Sequence, residues 1–249
     1  MTLYGVDLWA GAMIFARIGA ILMLLPGFGE PAVPPRARLG FALLLTALLA
    51  PALSAQIGPA PASSVAAAGL IGVELLIGLI IGGAARLLMS ALATAGQIMG
   101  LESGLAFAQT ADPTMTQSSQ AFGVFLSLLG VTLIFATDLH HAFIAGAVNS
   151  YQLFLPGRMP SLGDAADLAL DTVATSFRVG VQIAAPMVLG GLIFRLGLGA
   201  LARLIPTIQV FFVALPLQLM GAFMLLALGL SAGMLVWLDS VERFTAAIG

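Results

Sequence analysis

Apolar residues run through this chain in long blocks broken by short polar connections, and the blocks rather than any single amphipathic stripe set its elements. The first block covers residues 8–25, with Arg17 in its middle. The stretch PGFGEPAVPPRARLG follows at 26–40; its prolines cannot continue a helix, and Glu30, Arg36 and Arg38 make it polar. A second block runs over 39–57, where Pro51 ends or kinks it, and the uncharged linker GPAPASS fills 58–64. The third block, 65–95, is longer than one span needs. It predicts one long helix, tilted or broken near Arg86, that carries Glu74 and the small-residue pair Gly78 and Gly82.

That helix leads into GQIMGLESGLAFAQTADP at 96–113. Gly96, Gly100 and Gly104 recur every fourth residue, so on a helix they form a bare stripe that lets another backbone come close. Glu102 sits inside this stripe. From 109 to 120 the chain turns polar, with Asp112-Pro113 as a breaker. Residues 121–154 are apolar again, interrupted by Asp138, His140 and His141, and 156–171 is a second polar connection holding Arg158, Asp164, Asp167 and Asp171. A helix is expected over 168–194, carrying Arg178 and Pro186, and Arg195 and Arg203 frame a short connection. The last run, 207–238, contains Pro216 and the pair Gly229 and Gly233.

Composition turns this pattern into a fold class. The chain is 60% hydrophobic and 8% charged, against roughly 25% charged in a soluble domain. The reading is an all-α integral membrane protein, one membrane domain over 1–249, with about six long apolar helices in broken or kinked hairpins. With the N-terminus outside, Arg36, Arg38, Arg86, Arg195 and Arg203 fall on the cytoplasmic side, in keeping with the positive-inside bias. Asp7 is the only charge before Arg17, so the first block lacks a basic leader and is expected to stay as an anchor. A net charge of -2 without a basic cluster gives no reason to expect nucleic acid, and without cysteine there is neither disulfide nor thiolate chemistry.

Six charges fall in or beside apolar sequence: Arg17, Glu74, Arg86, Glu102, Asp138 and Arg178. A charge at mid-membrane costs about 2.5–3.5 kcal/mol on insertion scales. Arg17 is therefore expected to snorkel or to pair with a carboxylate inside the bundle; a wet pathway or a partner subunit is the alternative. Asp138, His140 and His141 are the nearest thing to a metal or catalytic cluster. Zinc on a helix wants ligands at i and i+4 with a third from elsewhere, and there is no further histidine, so no metal is expected and a helix-terminal group bonded to loop backbone is the better reading. A GxSxG nucleophile, a pair of intramembrane aspartates and a lysine-bearing phosphate loop are all missing from the sequence, so neither an enzyme nor a cofactor is expected. A proton-coupled transporter is the rival, with Glu74, Glu102 and Asp138 among the arginines as a relay and helices broken at Pro186 and Pro216.

Four stretches, in this order, resemble the FliR family of flagellar export-gate proteins and its SctT relatives in virulence secretion. They are FARIGAILMLLPGFGEPAVPPRARLGFALLLTALLAP (15–51), AGQIMGLESGLAFAQTADP (95–113), DLHHAFIAGAVNSYQLFLPG (138–157) and FFVALPLQLMGAFMLLALGL (211–230). Glu102-Ser103 departs from that family's usual Gln-Met, and Leu139 stands where a glycine commonly precedes the histidines. The resemblance implies a non-enzymatic pore subunit of the bacterial inner membrane at the flagellar basal body. It implies assembly with FliP-like and FliQ-like subunits, with FlhB-like and FlhA-like export proteins nearby, and passage of unfolded polypeptides. Residues 1–160 are similar to FliP, and 168–249 to the helical hairpin of FliQ. The resemblance also implies a plug loop over 107–122, which places Phe107, Asp112, Pro113, Met115 and Phe122 in the closed pore. A polar loop with scattered large apolar side chains suits a channel or a protein surface better than lipid.

Overall fold

A computed structural model describes residues 2–3, 6–104, 121–204 and 210–248. Apart from a two-residue antiparallel pairing of Thr2–Leu3 with Val6–Asp7, every described element is helical. The helices are α1 (Leu8–Leu24), α2 (Pro35–Leu53), α3 (Ser64–Glu102), α4 (Ala121–Ala136), α5 (Leu139–Leu153), α6 (Leu162–Leu204) and α7 (Val210–Ile248), with one 3₁₀ turn at Ser54–Gln56. The chain is an all-α membrane protein, and the count of about six long apolar helices is loose. Among the described residues, four helices are long and apolar enough to cross a membrane, or five if α4 and α5, bent by 76° at their junction, form one broken span.

Helix ends follow local chemistry. The Asp7 side chain accepts from the Trp9 N–H and caps α1. Pro35 opens α2 at a position where its missing N–H leaves no bond unmade, so Arg36 and Arg38 lie in the first turn of a helix and not in the loop expected for them. Pro51 sits in the last turn of α2, which tightens into the 3₁₀ turn. Helix α3 has 39 residues and continues unbroken past Arg86; at 1.5 Å per residue it is about 60 Å long, roughly twice the hydrocarbon core of a bilayer. Helix α6 has 43 residues and passes straight through Arg195, so the connection expected there is helix instead. Asp164, Asp167 and Asp171 likewise lie on α6, with Asp164 in the first turn, where a carboxylate suits the positive end of the helix.

The chain divides into two compact units. The first comprises Met1–Leu87, Ile134–Val173 and Val241–Gly249. Its core is built from Met13, Ile14, Ile18 and Ile21 of α1, Ile77 and Ile81 of α3, Phe143 and Tyr151 of α5, and Phe244 and Ile248 of α7. Helix α3 seats closely on α1 because a Cβ at Gly78 would come within 2.6 Å of the Arg17 carbonyl oxygen, and one at Gly82 within 3.0 Å of the Ile21 oxygen. The loop before α2 is held by Phe28, which stacks on Phe41 at 5.2 Å and meets Phe135 edge-on. Gly27 turns there with φ +85 against the same Phe135 ring.

The second unit comprises Leu88–Leu133 and Ala174–Ser240. Helices α3 and α4 come into backbone contact, since a Cβ at Gly96 would overlap the Cα and N of Gly123. Trp237 is fully buried and its indole N–H donates to the Leu88 carbonyl at 3.0 Å. Gly180 brings α6 against the Ala91 carbonyl. Gly229 and Gly233 meet only side chains, Pro186 at 3.7 Å and Ile183 at 3.2 Å, so this pair brings no backbone as near as Gly96 does. Large apolar side chains cover the outer faces of α2, α6 and α7, among them Leu48, Ile193, Leu196 and Leu228; such faces suit lipid or partner helices.

Candidate functional site

Helix α3 carries both acidic side chains that the apolar pattern places deepest, Glu74 and Glu102. In the first unit Arg17 and Glu74 are completely buried and joined, with Nε donating to Oε2 at 2.6 Å. Neither charge is tolerable alone at such depth, and here each is also bonded elsewhere. Arg17 Nη1 donates to the carbonyls of Ser150 at 3.0 Å and Phe154 at 2.9 Å at the C-terminal end of α5, where the Ser150 oxygen also accepts the Phe154 N–H. A cation at that end also complements the helix dipole. Glu74 Oε1 accepts from the Gly157 N–H at 2.8 Å, fixing the turn that leaves α5, where Gly157 has φ +73. The guanidinium lies 4.1 Å over the ring of Tyr151, a cation–π contact. One pair thus gathers α1, α3, α5 and the turn at 155–158.

Glu102 ends α3 in the second unit. Its Oε2 lies 2.9 Å from Nη2 of Arg195, and its carbonyl accepts from Gln218 Nε2 at 2.6 Å. Gly191 leaves room for the carboxylate, since a side chain there would meet Oε2. A cavity of about 90 Å³ opens beside it, bounded by Gly190, Phe194, Gln218 and Gly221 among others. Gly100 and Gly104 are buried in the same turn, and Gly104 has φ +83, which ends the helix. In the sequence the polar stretch at 109–120 follows after four apolar residues. Of the expected plug residues, Phe107, Asp112, Pro113 and Met115 lie outside the described residues. Phe122 is described; it is buried, with its ring 5.7 Å from that of Phe223.

The remaining charges lie elsewhere. Arg86 Nη1 donates to Glu30 Oε1 at 2.6 Å in a partly exposed pair that ties α3 to the loop before α2. Arg178 is exposed on α6. Asp138 is exposed at the α4–α5 elbow, in the left-handed conformation with φ 58, and makes no capping hydrogen bond. The backbone-bonded cap expected of this cluster is therefore not what Asp138 forms. Sequence reasoning missed Arg195, Gln218, Glu30, Tyr151 and Gly123 as partners. Only Gly123 left a sequence signal, with Gly130 seven residues further along the same helix.

The chain matches the model of the bacterial export proteins, family 1, over residues 8–244. It is 47% identical over 233 residues to the flagellar biosynthetic protein FliR of Caulobacter vibrioides, covering 94% of this chain and 93% of that protein. The FliR of Escherichia coli K12 is 31% identical over 85% of this chain and 80% of its own length. The Yop proteins translocation protein T of Yersinia pestis is 25% identical over 64% of this chain and 62% of its own. This integral membrane chain belongs to the bacterial export proteins, family 1, as a member of its FliR branch.

Proposed function

We propose that this chain is a non-enzymatic subunit of the flagellar type III export gate in the bacterial inner membrane, at the base of the flagellum. It packs with FliP-like and FliQ-like subunits, next to FlhB-like and FlhA-like export proteins, to form and seal the channel for unfolded flagellar subunits. The observation that carries the reading is the 47% identity to a FliR over nearly the whole of both chains. The weaker match to a Yersinia translocation protein, 25% over under two thirds of the chain, favours the flagellar system over a virulence one.

The helices support it physically. Helices of 39 and 43 residues exceed what one bilayer needs, and their apolar outer faces offer long surfaces to neighbouring subunits. The regions 1–160 and 168–249 correspond to the FliP-like and FliQ-like parts of the gate. The segment after Gly104, from Phe107 to Phe122, is the plug: flexible apolar side chains close an idle pore by dewetting and repack around a passing chain. Glu74 is bonded to both Arg17 and the Gly157 N–H, an arrangement that ties helices together.

The test is the subunit content of the complex isolated in mild detergent through a tag on this chain, from cells making all the candidate subunits. FliP-like and FliQ-like chains in one large particle are the expected result. A lone monomer or homodimer would overturn the reading and return the proton-coupled transporter, with Glu74, Glu102 and Asp138 as its first residues to test.

A further inference from the structure

We propose that Asp138, His140 and His141 form a site for one divalent transition-metal ion of the zinc and copper class, independently of any role in export. Asp138 lies at the elbow where the chain turns by 76° between α4 and α5, and His140 and His141 follow it in the first turn of α5. Asp138 holds the left-handed backbone conformation, which aspartate tolerates better than most residues other than glycine. The two imidazole rings come to 4.0 Å centroid to centroid, and His141 Nδ1 lies 3.7 Å from Asp138 Oδ1. One ligand atom from each of the three falls within 4.8 Å of the others.

The backbone brings these residues together, His141 N–H donating to the Asp138 carbonyl at 3.0 Å, but no hydrogen bond joins their side chains. The 3.7 Å separation is too long for a hydrogen bond. Asp138 caps no backbone N–H, and His140 Nδ1 is buried without a hydrogen-bond partner. Three metal-binding side chains are thus brought together without a side-chain hydrogen bond among them. An ion about 2.0–2.2 Å from each ligand atom requires pair separations of roughly 3–4 Å. Asp138 and His141 are 79% and 71% exposed, so side-chain rotation alone closes the difference.

The donor set defines the ion. Two imidazoles and a carboxylate match zinc, copper(II) or nickel, with water in the open positions, whereas magnesium and calcium prefer oxygen alone. The helix dipoles do not oppose a cation, because the negative end of α4 and the positive end of α5 meet at the elbow. His140 packs 5.0 Å from Phe135, the ring that holds Gly27 and Phe28. A bound ion would stiffen the elbow and, through Phe135, the loop before α2.

The experiment is a zinc titration by calorimetry on the full chain in detergent, purified on a tag without histidine, and a copper(II) electron paramagnetic resonance spectrum of the same sample. One saturable zinc per chain is expected. His141→Ala, His140→Gln and Asp138→Asn should each weaken it by about tenfold or more, as loss of a ligand should cost at least what loss of a supporting residue does. The copper spectrum should show two imidazole nitrogens in the wild type and one in either histidine variant. His141 and Asp138 are exposed, so these two substitutions report even if the His140 variant fails to fold. No saturable zinc binding by the wild type, or affinity unchanged in H141A and D138N, overturns the site.

Discussion

Replacing Arg17 by methionine keeps the length of the side chain and removes its charge, leaving Glu74 buried without a counter-ion. Removing one partner of a buried pair costs about 3–5 kcal/mol. At roughly 2–4 °C per kcal/mol for a chain of this size, the thermal midpoint in detergent should fall by about 6–20 °C. The Phe154 carbonyl loses the guanidinium donor as well, and the Ser150 carbonyl keeps only the Phe154 N–H, which keeps the effect at the upper end. Lysine at 17 restores a charge but not a planar fork that serves Glu74 and two carbonyls together, so R17K should rescue only in part. Glu74→Gln keeps an acceptor for the Gly157 N–H and should cost less than R17M. The decisive comparison is the double variant R17M/E74M. With no isolated charge left inside, it should be more stable than R17M alone, although the Gly157 N–H has then lost its acceptor. A midpoint for R17M within about 2 °C of wild type, or a double variant whose loss equals the sum of the singles, would refute the reasoning.

The other predictions concern packing and the gate. Gly96→Ala should destabilise by about 1–3 kcal/mol, since its methyl group meets the backbone of Gly123. Gly197→Ala, which faces open space in mid-helix, should stabilise by roughly 0.5–1 kcal/mol; thermal midpoints of the two, side by side, check both signs. Trp237→Phe leaves the Leu88 carbonyl without its indole donor and should cost about 1–3 kcal/mol, measured the same way. Deleting residues 110–117 should leave the complex assembled but make the closed gate leak small ions, and unchanged membrane conductance in that deletion would count against the plug.

Hydropathy made the apolar blocks legible and was silent about where helices stop. A span that leaves the bilayer needs no breaker, so α6 continues through Arg195 and α2 begins before Arg36. Both arginines therefore read as loop in the sequence and lie in helix in the structure. The elbow at Asp138 was the opposite case. It contains neither proline nor glycine, and a left-handed aspartate supplies the bend that either would have announced. Partners across helices were the least legible. Arg17 and Glu74 are 57 residues apart, and opposite charges within apolar blocks suggest pairing but not which members pair. The pairing depends on helix register, which Gly78 sets by admitting the backbone of Arg17 itself.

That last dependence links the glycines to the charges. A methyl group at Gly78 would strike the Arg17 carbonyl and the Ala20 Cβ, so α1 would have to move away from α3 at the level of the ion pair. A shift of about an ångström would stretch the 2.6 Å contact from Arg17 to Glu74 beyond hydrogen-bond range and weaken the pairing of two buried charges. Gly78→Ala should therefore cost more than the roughly 1–3 kcal/mol of overpacking alone, approaching the loss seen for R17M. In an R17M/E74M background the same substitution should fall back to the overpacking cost, because no charge remains to be separated. Equal losses in the two backgrounds would mean that the glycine and the ion pair act independently, and that register at this crossing is set by the surrounding core of Ile14, Ile18 and Ile77.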